Sequence, residues 1–176
     1  MADWASVADT AVKIGLGALI GGWFTIWTLR LNQRHDLVKQ RLERRFNLLQ
    51  EAQLEVSGFA GIMSTYWANT RNAAHIRDRD GGASEAMRQE LEEEEKKVFT
   101  AFADLSTSRG KILLVGEKEA CAALAQLHEA CSSLFRIAHI DSEKCTVAAL
   151  DEARKNIEQR RADFYDRMAE AFARGA

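Results

Sequence analysis

The sequence predicts an all-α protein: one amino-terminal transmembrane helix followed by an antiparallel four-helix bundle. Three observations carry this. The 176 residues contain no proline and only 11 glycines, so long helices meet few obligatory breaks. Sixteen consecutive uncharged residues lie between Lys13 and Arg30. After them, apolar residues recur at helical spacing in four stretches separated by turn signals, with almost no strand-like alternation.

Residues 1–9 form a short tail ahead of the span, which covers residues 10–31, TAVKIGLGALIGGWFTIWTLRL. At 1.5 Å per residue the uncharged part covers about 24 Å and the whole stretch about 33 Å, against a hydrocarbon core of about 30 Å. Its apolar residues run all round the helix, where a surface helix of a small bundle would show a stripe. Trp23 and Trp27 crowd toward one end and Trp4 lies beyond the other. Amphipathic rings favour that interfacial placement, and Lys13, Arg30 and Arg34 reach the headgroups along their methylene stems. A helix buried in a soluble bundle is the competing reading, because sixteen apolar residues fall between the usual lengths of core and membrane helices.

Flanking charge sets the orientation. Arg30, Arg34, Lys39, Arg41, Arg44 and Arg45 follow the span against only Asp36 and Glu43, whereas Asp3, Asp9 and Lys13 precede it. The positive-inside rule then places the amino terminus outside and the rest in the cytoplasm, in a single-pass topology at the inner membrane. The same basic residues are drawn to anionic lipid, although topology determination alone accounts for most of that signal. An acidic start and no small-residue cleavage site favour an uncleaved anchor, and the ends show no acylation or prenylation signal. The net charge of −2 argues against a nucleic-acid partner.

Within the span, Gly17 and Gly21 stand four apart, and Ala18 and Gly22 repeat that spacing one position on. Small residues at this interval let membrane helices approach closely, so these four are the candidate self-association positions. Most such glycines are merely tolerated.

Residues 32–176 make the cytoplasmic bundle, with helices expected over about 35–74, 85–106, 117–139 and 143–173. No breaker separates Leu31 from the first, which leaves open a single rod. In that helix Leu42, Leu49, Val56 and Met63 fall seven apart. Phe46, Ala60 and Trp67 fill the alternate position, with Gln53 as a polar interruption, a pattern close to a coiled-coil repeat. RDRDGGAS, Arg77 to Ser84, is the clearest turn, and Ser84 is placed to cap the second helix. That helix carries Met87, Leu91, Val98, Phe102 and Leu105, and its Glu92–Glu95 run reads as a solvated face. Gly110 and Gly116 are expected to bracket a helix end and a short apolar connection, Ile112 to Val115, tucked into the core. Gly110-Lys111 lacks the other positions of a phosphate loop, with Leu105 and Ile112 where a glycine and a hydroxyl belong.

In the third helix Cys121, Leu124, Leu127, His128, Cys131, Leu134 and Phe135 fall within about 140° of one another at 100° per residue. Cys121, His128, Cys131 and His139 form the one metal-like grouping. One helix does not wrap four ligands around an ion, since Cys121 and His139 would stand about 27 Å apart. Core thiols and a half-buried histidine are the default, and three cysteines on the cytoplasmic side, with Cys145, point to reduced thiols. Asp141 and Ser142 offer a turn before the last helix, whose stripe is Val147, Leu150, Ile157, Phe164, Met168 and Ala171.

The layout resembles small bacterial membrane proteins of unassigned function, in which one span and arginine-rich juxtamembrane sequence precede a cytoplasmic helical domain. The resemblance covers the whole chain and implies no activity. There is no catalytic constellation and no cofactor loop, so the expectation is a non-enzymatic, membrane-anchored interaction or scaffold protein. Its partners would be the bilayer and either further copies of itself or another membrane or cytoplasmic protein. The alternative is an effector that perturbs the membrane by clustering its span through Gly17 and Gly21.

Overall fold

The helix boundaries at Gly81–Ser84, Gly116 and Thr146 are marked by left-handed glycines and capping hydroxyls. In the computed structural model the described residues are 4–174, with side chains described from Leu37 onward. The chain divides into two units, Met1–Arg44 and Arg45–Ala176. Four helices and no strands make up the described residues: α1 (Trp4–Asp80), α2 (Glu85–Leu114), α3 (Lys118–Ile137) and α4 (Val147–Ala173).

The turn after α1 falls at the glycine pair ahead of Ser84, but α1 runs on through Asp80, past its expected end near residue 74, so Arg77–Asp80 of the expected turn are helical. Gly81 takes φ +79°, a conformation that glycine adopts without strain, and the Ser84 hydroxyl accepts from the Met87 N–H at 3.3 Å to cap α2. The end of α2 departs from expectation. Gly110 lies inside the helix, and the stop falls at Gly116, φ +81°. There the Gly116 N–H bonds the Leu113 carbonyl (3.0 Å) and the Glu117 N–H bonds that of Ile112 (3.2 Å), the paired closure of a Schellman motif. The expected apolar connection is therefore helical. Ile112 is wholly buried, but Leu113 and Leu114 are 51% and 79% exposed and are not core residues.

α4 also begins later than expected, at Val147, capped by the Thr146 hydroxyl on the Ala149 N–H (3.1 Å). Residues 138–146 form a connection instead. Arg77 donates to its carbonyls at Ile140 (2.6 Å) and Cys145 (2.8 Å), satisfying backbone groups that a helix would otherwise have satisfied, and Arg88 of α2 pairs with its Asp141 (3.2 Å).

Arg45–Ala176 is a bundle in which sequential neighbours are antiparallel. Glu55 meets Ser108 and Tyr66 meets Glu95 between α1 and α2, while Ser57 meets Tyr165 and Trp67 meets Leu150 between α1 and α4. The buried line of α1 is Leu49, Ala52, Val56, Phe59, Met63, Tyr66, Thr70 and Ala73, separated by alternating intervals of three and four. Leu49, Val56 and Met63 of the expected line are buried, Leu42 at its start is 45% exposed, and the other half of the line is displaced by one residue. The alternate positions are Ala52, Phe59 and Tyr66, not Gln53, Ala60 and Trp67, although Ala60 is also buried; Phe46 is 55% exposed. An aromatic cluster joins three helices: Phe102 lies 5.1 Å from Phe59 and 6.2 Å from Phe135, and Phe135 lies 5.8 Å from Tyr66.

Candidate functional site

Three groupings of polar side chains within the bundle are committed to one another. The first is at the end where the chain enters the bundle. Glu117, just ahead of α3, is 7% exposed, and its two carboxylate oxygens accept from Arg45 of α1 and Arg174 at the end of α4. Arg45 also donates to the Ala171 carbonyl at 2.9 Å. Burial by itself would raise the Glu117 carboxyl, but the hydrogen bonds from Arg174 and Arg45, with their charges, outweigh it and hold it below the ordinary carboxylate range. One carboxylate thus ties α1, the α2–α3 turn and the end of α4 together.

The second grouping lies between α1 and α2. The wholly buried Ser108 donates to Glu55 Oε2 at 2.6 Å, and Lys111 Nζ reaches Glu55 Oε1 (2.6 Å) and Glu51 Oε2 (2.8 Å). Serine, lysine and carboxylate together invite a nucleophilic reading. Two observations oppose it. The serine is enclosed, and Glu55 sits below the ordinary carboxylate range: burial raises it, but hydrogen bonds from Lys111 and Ser108 prevail, making it a poor proton acceptor. Beside it, the buried Tyr66 hydroxyl donates to Glu95 Oε1 at 3.3 Å, so one carboxylate of the Glu92–Glu95 run turns inward; Glu92 pairs with Lys96 on the surface, and Glu94, its side chain only 13% exposed, pairs with Lys97. Burial, first, and then the Glu95 charge raise the Tyr66 phenol above its ordinary value.

The third lies between α1 and α4. Trp67 donates its indole N–H to the Leu150 carbonyl (3.0 Å), the Arg154 guanidinium stands 4.0 Å above its ring, and Arg71 forms a two-bond pair with Asp151 (2.7 and 3.2 Å). The crevice beside them, lined by Met63, Trp67, Leu134, Arg154, Ile157 and Arg161, has about 20 Å³ of room. That is space on the order of a single water, too little for an organic substrate.

Cys121, Cys131 and Cys145 are free and buried, and burial pushes the Cys131 thiol up to about 12. His128 packs edge-on against Phe102 at 5.1 Å. Among the described residues no group of three or more His, Cys, Asp or Glu side chains is placed to hold a metal ion.

The residues that the sequence singles out for the membrane interface (Trp4, Lys13, Trp23, Trp27, Arg30, Arg34) and for helix association (Gly17, Ala18, Gly21, Gly22) have side chains outside the described ones. Their backbone belongs to α1. Among the residues whose side chains are described no helix is long and apolar enough to cross a membrane, and residues 10–31 lie outside them. Sequence reasoning found the capping serine and the buried thiols. It missed Glu117, Ser108 and the role of Arg77, and it read Arg45 only as a juxtamembrane cation; their partners lie 53 to 126 positions away in the chain and share no local pattern with them. The chain matches no protein-family model, no curated protein and no solved structure.

Proposed function

We propose that the chain is a membrane-tethered helical interaction protein, held at the cytoplasmic face by residues 10–31 and presenting its bundle to a protein partner or to further copies of itself. The observation that carries this reading is the run of sixteen uncharged residues between Lys13 and Arg30, followed within fifteen residues by Arg34, Lys39, Arg41, Arg44 and Arg45. An apolar run with cations crowded on one side is what a single-pass anchor needs to enter and orient in a bilayer. The bundle supports a binding role over a chemical one, because Glu117, Glu55 and Asp151 are each held by cations across helices.

Alkaline extraction of membranes from cells expressing the full chain tests the tether. The chain is expected in the pellet with integral proteins; recovery in the supernatant overturns the reading. The spacing of Gly17 and Gly21 favours a second reading, in which clustered spans perturb the bilayer. It requires that expression depolarise the membrane and that Gly21→Leu abolish the effect; an unchanged potential removes it.

A further inference from the structure

Between α2 and α3 lies a cleft of about 130 Å³ that shares no residue with the three polar groupings; Leu105, Ser106, Arg109, Leu124, Ala125 and His128 line it. Each helix contributes residues at i, i+1 and i+4, so one turn of α2 faces one turn of α3 across the space. The floor is apolar, with Leu105 and Leu124 buried, and the rim is polar, with Ser106, Arg109 and His128 exposed. A guanidinium, an imidazole and a hydroxyl line the cleft, but no carboxylate does. Two residues along α2, Lys111 is taken up by Glu51 and Glu55, whereas Arg109 makes no ion pair among the described residues. The His128 ring is held by its edge-on contact with Phe102 at 5.1 Å. Ser106 gives its proton to the Phe102 carbonyl (3.3 Å), which leaves the guanidinium and the imidazole to recognise whatever enters.

We propose that this cleft binds a small monocarboxylate with a short aliphatic tail. Charge selects the head: one guanidinium with no carboxylate beside it suits a monoanion, and its planar fork meets a carboxylate through two parallel hydrogen bonds. The His128 ring supplies the other polar contact, and the tail lies over Leu105, Leu124 and Ala125. Size sets the tail. The space is on the order of ten waters, enough for a small organic anion and too little for a helix of another protein. Other occupants match fewer of these features. A metal ion would find one imidazole and a repelling arginine, and a phosphate dianion would bring two charges to one cation. The inference does not depend on the proposed tether.

The test follows the imidazole Cε1–H signals of the full chain in detergent by NMR as hexanoate is added at pH 7, with butyrate, the uncharged hexanamide and butyl phosphate as companion probes. His128→Gln identifies the His128 signal among the four histidines. Hexanoate should shift that signal saturably, with a dissociation constant of about 1–10 mM for so small a probe. Affinity should rise about two-fold per methylene from butyrate to hexanoate, roughly half the effect of full burial because the cleft is open on one side. Arg109→Gln should weaken hexanoate by about ten-fold or more, and hexanamide should bind wild type as weakly. Ala125→Leu, which fills the cleft and leaves Arg109 in place, should remove the dependence on tail length. Arg109 is exposed, so its variant should fold, and far-UV circular dichroism confirms this for both variants. An unmoved or unsaturable His128 signal, equal shifts at all four histidines, hexanamide binding as well as hexanoate, or undiminished binding by Arg109→Gln overturns the inference. Butyl phosphate binding more tightly than hexanoate overturns the assignment of a monocarboxylate.

Discussion

Replacing Glu117 with alanine removes the one carboxylate that two arginines share. The Glu117 side chain is 9% exposed, and its removal leaves Arg45, 21% exposed, with only the Ala171 carbonyl. Breaking a fully buried pair by deleting one partner costs about 3–5 kcal/mol. Both arginines here reach solvent, Arg174 with about half its surface, and can rehydrate, so the loss should fall nearer 2 kcal/mol. In a domain of this size that lowers the melting temperature by roughly 4–8 °C. The assay is thermal or urea unfolding of the full chain in detergent, followed at 222 nm. The pH dependence gives a second readout. Because the folded Glu117 carboxyl lies below its ordinary value of 4.5, its stabilisation is complete above that pH and is lost as the pH falls through the lower folded value. Glu117→Gln should therefore flatten the acid limb of the stability profile. A change below about 0.5 kcal/mol at pH 7, together with an unaltered acid limb, would refute the assignment of a shared clasp.

Phe59→Ala should destabilise by about 3–5 kcal/mol, because its ring is wholly covered and packs on Phe102, whereas Phe46→Ala should cost about 1 kcal/mol or less; similar losses would place the buried line where the sequence expected it. The Thr70 hydroxyl is buried with no hydrogen-bond partner among the described residues, so Thr70→Val should leave stability unchanged or raise it by about 1 kcal/mol in urea unfolding; a loss above that size would mean the hydroxyl is bonded. The three buried thiols should resist a maleimide at pH 8 in the folded chain and react at once in denaturant, Cys131 the slowest because burial lifts its thiol to about 12; fast native labelling would contradict their burial.

The helical class and the first turn were legible because they depend on local chemistry. Absent proline, the stripes from Leu91 to Leu105 and from Leu150 to Ala171, and the capping Ser84 all act within a few residues. Register was harder. Two adjacent lines on α1 carry apolar residues, and small members such as Ala52 and Ala73 hide the true one, while Phe46 and Trp67 advertise the other. What decides between them is the position of three other helices, which no window of α1 contains. The end of α2 was misplaced because Gly110 and Gly116 look alike in sequence; only the second is followed by the backbone closure onto Ile112 and Leu113. The late start of α4 depends on Arg77, more than sixty residues earlier. Candidate interfacial and association residues were read entirely from spacing and flanking charge.

The most direct test of the tether asks whether residues 10–31 separate two compartments. Ala5→Cys and Gln40→Cys, each in the full chain, are treated in intact cells with a membrane-impermeant maleimide, then again after lysis. Crossing predicts that Ala5→Cys labels from outside in intact cells and Gln40→Cys labels only once the membrane is broken. Labelling of both positions in intact cells, or of neither until lysis, would contradict the tether and the orientation that follows from it.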